Sequence, residues 1–301
     1  MPEDILALIG DTPVVELRKV NHTKATILAK FEALNPSGSV KDVMTSYMME
    51  VAERKGILKP GMKVIEATSG NTGISFAMLC ALKGYRFVAV MPEYMSAERR
   101  QMMEAFGAEI VLTPSEDGFP GCLRRLEELA AENDDVWLPR QFDNPDNTAA
   151  HREVTGRRIL EQVPGRIDAF ISGIGTGGTL MGVAAALRTV HPSVEIIAVE
   201  PAQSAVLSGG EPGVHLIQGI GPGYVPSLVD RDMIDRVIAV AEEKAVEVAR
   251  RLLREEGLMV GISSGANVFA ALEVAEECGP AATVVTVLPD RGERYLSMSV
   301  L

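Results

Sequence analysis

Between positions 64 and 288, apolar runs of strand length alternate strictly with stretches of helical periodicity, and this alternation restricts the possible architectures more than any other feature of the chain. Strand signals at 64–67, 87–91, 109–112 and 136–138 are separated by helical patterns at 72–83, 96–106 and 121–132. A polar stretch, 143–147, reads as a boundary. Beyond it come strands at 169–172, 195–199, 237–240 and 283–288, interleaved with helices at 179–189, 242–256 and 264–277. Strands joined through helices must run parallel, so each half predicts a parallel sheet covered by helices on both faces. Ahead of this pattern, the Gly10-Asp11-Thr12-Pro13 turn leads into strand-like 14–17 and 27–31, a hairpin. The expectation is two doubly wound α/β domains, with ligands beyond the carboxyl ends of the strands.

A chain of 301 residues with 47% hydrophobic composition can bury two cores. Its formal charge of −12 offers no basic stripe for nucleic acid or an anionic membrane surface, so an anionic ligand must be held by local donors. The most apolar long run, 258–272, includes Ser263, Ser264 and Asn267 and is too short to span a bilayer. Positions 1–8 carry Glu3 and Asp4 in place of a basic, apolar leader pattern, and the expected location is the cytoplasm. Cys80, Cys122 and Cys278 are odd in number and far apart, which fits reduced thiols. His22, His151, His191 and His215 form no metal-binding spacing, and no metal site is expected.

One lysine sits where a cation is disfavoured. Asn35-Pro36-Ser37-Gly38-Ser39-Val40-Lys41-Asp42 opens a helix whose apolar positions Val40, Val43, Met44, Tyr47, Met48 and Val51 recur at helical spacing. Ser37 and Ser39 are both candidate caps, and Gly56 closes the run. Lys41 thus lies in the first turn, beside free amide N–H groups and a macrodipole equivalent to about half a positive charge. That environment pushes an ammonium toward free amine, the state that condenses with an aldehyde. A lone lysine more often snorkels to solvent, so the loops downstream decide its meaning.

Thr68-Ser69-Gly70-Asn71-Thr72-Gly73 follows a strand and opens a helix, a flexible cup of donors suited to a carboxylate or phosphate. Gly173-Ile174-Gly175-Thr176-Gly177-Gly178-Thr179 repeats the arrangement and satisfies GxGxxG, with Glu200 ending the next strand as in a dinucleotide site. A nicotinamide oxidoreductase is therefore a competing reading. The two threonine hydroxyls beside the amides suit a terminal phosphate dianion better than a diester. Gly261-Ile262-Ser263-Ser264-Gly265-Ala266 is a third strand-to-helix loop, where a serine serves as a cap or as a ligand contact. Gln141 and Gln218 also lie at strand or loop ends.

In order, spacing and extent, IGDTPVVEL, NPSGSVKD, EATSGNTG, MPEYMSAERR, QFDNPDN, GTGGT, IQGIG, GISSGA and DRGERYLS closely resemble the cysteine synthase (O-acetylserine sulfhydrylase) family of fold-type II pyridoxal-phosphate enzymes. The resemblance runs from Ile9 to Ser297. It implies a tryptophan synthase β-like fold, with the cofactor in the cleft between a smaller domain, 35–145 with 1–11, and a larger one, 146–301 with a crossing hairpin at 12–34. It also implies pyridoxal 5′-phosphate bound through Lys41, with its phosphate on Gly175, Thr176, Gly177, Gly178 and Thr179. Asn71 would contact the ring hydroxyl and Ser263 the ring nitrogen. Thr68, Ser69, Asn71, Thr72 and Gln141 would hold the amino-acid substrate.

The implied reaction is replacement of the acetoxy group of O-acetyl-L-serine by sulfide, with Lys41 moving the α-proton, in a homodimer that has serine acetyltransferase as a candidate partner. Cystathionine β-synthase is the second reading within the family, and this chain carries no haem-binding Cys/His segment. Family members using O-phosphoserine place an arginine near the Ile220 region, whereas no arginine occurs here between Arg188 and Arg231, which favours an uncharged leaving group. ALKGYR and DRGERYLS resemble B-type synthases and GTGGT and QGIG resemble A-type, so the sequence does not separate the two.

Overall fold

The computed structural model describes residues 4–298 and 301; positions 1–3, 299 and 300, which fall within the two expected domains, lie outside the described residues. A hairpin comes first, with β1 (Val14–Glu16) antiparallel to β2 (Thr26–Lys30). Helix α1 (Lys41–Arg54) leads into β3 (Lys63–Ala67), α2 (Asn71–Lys83), β4 (Arg86–Pro92), α3 (Ala97–Ala105), β5 (Glu109–Thr113), α4 (Gly118–Ala131) and β6 (Val136–Trp137). These strands form a parallel sheet of order β5-β4-β3-β6.

The polar stretch at 143–147 is the start of a helix. Asn144 caps α5 (Pro145–Ala150) by accepting from the Asp146 N–H at 2.9 Å, and Pro145 occupies the first turn. The helix continues through a π-helical turn, His151–Gly156, into α6 (Arg157–Gln162). Asn and Pro mark turns as readily as helix starts, and the widened turn breaks the 3.6-residue period; for both reasons the pattern hides this rod.

The second half adds β7 (Ala169–Gly173), α7 (Gly178–Leu187), β8 (Glu195–Pro201), β9 (Arg236–Val240), α8 (Glu242–Arg251), α9 (Ile262–Cys278) and β10 (Thr283–Val287). With the early hairpin they make a second sheet, order β1-β2-β10-β7-β8-β9, parallel except for β1. Thus β2, only a few residues before α1, pairs with the strand that closes the chain. Apolar clusters cover both faces of each sheet, one built around Met44, Met48, Phe76 and Leu79 and another around Ile171, Ile197, Val268 and Val284. Each fully buried side chain of this kind contributes roughly 1.5–3 kcal/mol relative to exposure.

Backbone hydrogen bonds tie the start of α1 to the exit of β10. Val40 N–H donates to Pro289 O at 2.8 Å, Arg291 N–H to Gly38 O at 3.2 Å and Ala33 N–H to Leu288 O at 3.2 Å. Gly38 adopts φ +92°, a left-handed conformation that glycine reaches without penalty. Beneath this junction the buried Glu32 carboxyl accepts from Thr12 and Asn35, and Asn35 Oδ1 accepts from Gly10 N–H at 2.8 Å. Cys80 and Cys122 are buried, Cys278 is exposed, and all three are free thiols. Among the described residues no helix is long and apolar enough to cross a membrane.

Glycines let α7 lie directly on the α5–α6 rod. A Cβ at Gly182 would stand 2.4 Å from Thr148 O and 2.6 Å from His151 Cβ. Gly182→Ala should therefore destabilise the fold by about 1–3 kcal/mol, read as a lower urea midpoint with an unchanged slope.

Candidate active site

Both sheets change direction next to the same cleft. In the smaller sheet β4 and β5 lie to one side of β3 and β6 to the other, which places the switch point between β3 and β6. In the larger sheet the switch point lies between β7 and β10. Loops leaving strands on opposite sides of a switch point diverge and open a crevice. The exits of β3 and β6 carry Thr68, Ser69 and Gln141, and those of β7 and β10 carry Gly175, Thr176, Gly177 and Asp290.

A cleft of about 430 Å³ is lined by Lys41, Thr68, Ser69, Asn71, Thr72, Gln141, Gly175 and Thr176. A smaller recess of about 40 Å³ opens beside it, lined by Lys41, Asn71, Gly175, Thr176, Gly177, Thr179 and Ser263. Of the cofactor and substrate residues that the resemblance implies, Gly178 alone lines neither; a Cβ there would meet Asn147 Oδ1 at 2.0 Å, so it faces the rod behind the loop. Thr72 Oγ donates to Gln141 Oε1 at 2.7 Å, which joins the β3 and β6 exits. Ser263 is 3% exposed in the first turn of α9, and its hydroxyl makes no hydrogen bond among the described residues.

Lys41 is the first residue of α1, and its N–H donates to Ser39 Oγ at 3.3 Å. Ser37, the other candidate cap, instead holds the Asp42 carboxylate through its N–H and its hydroxyl. The Lys41 amine has no hydrogen bond or ion pair among the described residues. Burial draws its pKa down to about 8, opposed by the Asp290 carboxylate. The direction is the one expected at a helix start, and its cause here is desolvation.

Asn71 is partly committed within the chain. Its amide N–H donates to Asp290 Oδ2 at 2.7 Å and its oxygen accepts from Arg294, which leaves one N–H for a ligand. Tyr295 O–H also donates to Asp290 Oδ2, at 2.6 Å. Glu200, the dinucleotide-type acid, is 3% exposed and accepts from the N–H groups of Leu207 at 2.7 Å and Ser208 at 3.0 Å. Its carboxylate anchors that loop from a buried position, which is a structural role.

The motif reading assigns no role to several residues that the structure brings to the site. Asn147, on α5, donates to Gln141 O at 2.8 Å and Thr176 Oγ at 2.9 Å, so one amide links the two halves of the cleft. His151 lies in the π-helical turn, between Thr155 Oγ at 2.9 Å and Thr179 Oγ at 3.2 Å. Burial, with the Lys41 charge adding to it, pushes His151 down to about 3, so the ring is neutral. A π-helical turn is frequent at functional sites, but histidine spacing along the chain speaks only to metal ligation. Glu66 is buried under the β6 exit, accepts from Gln141 N–H at 3.3 Å, and is pushed up to about 8 by burial.

A family model for pyridoxal-phosphate dependent enzymes matches residues 5–290, and the chain belongs to that family. Among its relatives, a cysteine synthase of Staphylococcus aureus (strain Mu50) is 49% identical over 297 residues, 98% of this chain and 96% of the relative. The structure of a cysteine synthase (OASS) from Entamoeba histolytica aligns with a TM-score of 0.96 at 42% identity, covering 100% of this chain and 90% of that one. An O-acetylserine dependent cystathionine beta-synthase from Helicobacter pylori aligns at 0.94 with 36% identity, covering 99% of this chain and 98% of its own.

The residues present fit the cofactor that this family uses. Among the described residues the amine of Lys41 is unpaired and the Ser263 hydroxyl is uncommitted, and the loop at 175–179 has glycine at 175, 177 and 178 with hydroxyls at Thr176 and Thr179. A Cβ at Gly175 would stand 2.3 Å from Gly219 O and one at Gly177 2.6 Å from Val229 Cγ2, so the loop admits no larger residue at either position.

Two titrations test the electrostatics. In cofactor-free protein Lys41 should become acylable as the pH rises through about 8, ahead of ordinary lysines at about 10.4. Competitive labelling with peptide mass spectrometry reads this, and a midpoint near that of surface lysines would refute the desolvation account. For Glu66 the folded pKa of about 8 lies above the ordinary value of 4.5, so the folded state holds the extra proton between them and stability falls as pH rises through that window. Glu66→Gln should remove this slope, at most about 1.4 kcal/mol per pH unit, in urea melts taken from pH 5 to 8.

Proposed function

We propose that this chain is a cysteine synthase that replaces the acetoxy group of O-acetyl-L-serine with sulfide, giving L-cysteine and acetate. The observation that carries the reading is the 49% identity to the S. aureus cysteine synthase along 98% of the chain. The gathering of Lys41, the two donor loops and Ser263 on one cleft supports it.

Lys41 would hold the cofactor's aldehyde, and Gly175, Thr176, Gly177, Gly178 and Thr179 its phosphate, with His151 orienting Thr179 and Asn147 orienting Thr176. Ser263 would face the ring nitrogen and Asn71, through its remaining N–H, the ring hydroxyl. Bound pyridoxal phosphate supplies an electron sink for negative charge developing at an amino acid's α-carbon. Thr68, Ser69, Thr72 and Gln141 would seat the substrate carboxylate, which fixes the Cα–H toward Lys41. With its pKa drawn down to about 8, the Lys41 amine is free in a larger fraction near neutrality than an ordinary lysine, and as free amine it takes the Cα proton and returns it once the β-substituent has been exchanged. A serine hydroxyl at position 263, in place of a carboxylate, leaves the ring nitrogen without a counter-anion. That weakens the sink and favours prompt loss of the β-leaving group.

The reading extends to a cytoplasmic homodimer with serine acetyltransferase as a partner, and to a domain division at 35–145 and 146–301 with the hairpin 12–34 crossing. Free thiols support the compartment, and the pairing of β2 with β10 supports the crossing.

Lys41→Ala should abolish turnover and the visible absorbance of the bound cofactor while the far-ultraviolet dichroism is retained. Loss of proton transfer alone removes about 10²- to 10⁴-fold in rate, so activity persisting near the wild-type level refutes the role of Lys41. Ser263→Asp should keep the cofactor and slow replacement about tenfold, about 1.4 kcal/mol in barrier; an equal rate would remove the argument about the ring nitrogen. Steady-state comparison of O-acetylserine, O-phosphoserine and serine, each with sulfide or homocysteine, tests the substrate assignment. Preference for serine with homocysteine would overturn it.

A further inference from the structure

One arginine side chain on the cleft wall has no hydrogen-bonding or ion-pair acceptor among the described residues. Arg99, in the first turn of α3, lines the cleft wall beside Tyr94 and Met95 and is 4% exposed. Its guanidinium makes no hydrogen bond or ion pair among the described residues, and its Nε is fully enclosed without a partner. The group lies instead over the face of Tyr295, with Cζ 5.4 Å from the ring centroid.

The other charges nearby are committed. Asp290 is held by Asn71 and Tyr295, Arg294 donates to Asn71 and to Ser37 O, and Asp42 is held by Ser37. Glu98, the neighbour of Arg99 in sequence, is exposed and accepts from Ser96 Oγ at 2.6 Å. A guanidinium left buried without an acceptor is costly unless an anion completes it. Of the anions that must be bound before the exchange, two already have their donors. The cofactor phosphate has the loop at 175–179, and the substrate carboxylate has the hydroxyl and amide cup of Thr68, Ser69, Thr72 and Gln141. What lacks a counter-charge is the sulfur nucleophile, which must enter as an anion through the field of a protein with net charge −12.

We propose that Arg99 is the binding residue for the anionic second substrate, a small sulfur anion of the hydrosulfide or thiosulfate class. The inference rests on the reading of the chain as a cysteine synthase. The position suits this role. Tyr94, next to Arg99 on the wall, is 62% exposed, so this side of the cleft reaches solvent, while Lys41 lies on the same cleft. An anion seated here is held apart from the carboxylate cup on Thr68–Thr72, though near it, since a Cβ on Gly70 would lie 4.0 Å from Arg99 Nη1.

The test compares holoenzymes of wild type, Arg99→Met, Arg99→Lys and Arg100→Gln. Arg99→Met should raise the KM for sulfide and for thiosulfate about tenfold or more, the loss of one charge-assisted hydrogen-bond donor. The KM for O-acetylserine and the spectral change on adding O-acetylserine alone should stay near wild type. Arg99→Lys, which keeps the charge and guards against a folding defect, should fall between, and Arg100→Gln should match wild type. Unchanged dependence on both sulfur anions, or a rise confined to O-acetylserine, overturns the proposal, the latter because it assigns Arg99 to the carboxylate.

Thiosulfate titration followed by cofactor fluorescence decides the same question without turnover. Saturable binding in wild type that weakens about tenfold in Arg99→Met supports the site, and equal binding in both refutes it. A wild type with no spectral response to O-acetylserine would sink the functional reading, and the thiosulfate titration would still decide on Arg99.

Discussion

The short ladder between the entry to α1 and the exit of β10 is the constraint on which the site depends. Val40 and Pro289, Gly38 and Arg291, and Ala33 and Leu288 join backbone to backbone, and so a segment from the early part of the chain is fixed against the last strand of the larger sheet. The first side chain after this junction is Lys41, which projects into the cleft from a rigid base. The ladder satisfies backbone amides and carbonyls at the junction, and burial leaves the amine beyond it poorly solvated. Burial at this place depresses its pKa, against the Asp290 carboxylate, which raises it.

Both sheets turn their switch points to one cleft, and so the site draws on segments far apart in sequence. The exits of β3 and β6 supply hydroxyls and a glutamine amide, and the exit of β7 supplies a glycine-threonine loop. The rod from Pro145 to Gln162 lies behind them and contributes Asn147 and His151, whose side chains reach Thr176 and Thr179. Neutral His151 suits that place: a second cation beside Lys41 would raise the electrostatic cost of either.

Sequence periodicity conveys most of the architecture because parallel strands buried on both faces are continuous apolar runs, and each lies within a residue or two of its expected end. Motif order conveys Lys41, the two donor loops and Ser263. Three kinds of information stay out of reach. The rod at 145–162 begins with Asn144-Pro145, which spells a turn as well as a cap, and its π-helical turn breaks the period. Asn147 and His151 act across the fold on partners about 28 residues away or more, which spacing along one helix cannot reveal. Arg99 stands within MPEYMSAERR, but the motif reading weighs a basic residue only in the loop around Ile220, and nothing along the chain brings α3 to the cleft wall.

The protein's own sulfur chemistry is held in check. Cys80 is buried and pushed up to about 12 by burial and the Glu53 charge, Cys122 is enclosed and also raised, and the exposed Cys278 is raised by burial and by Glu195, Asp168 and Glu277. Thiol–disulfide exchange proceeds through the thiolate, so each of these side chains is a poor participant near neutrality. A catalyst whose product can oxidise to mixed disulfides would gain from this inertness: it could work at high product concentration without being capped by what it makes.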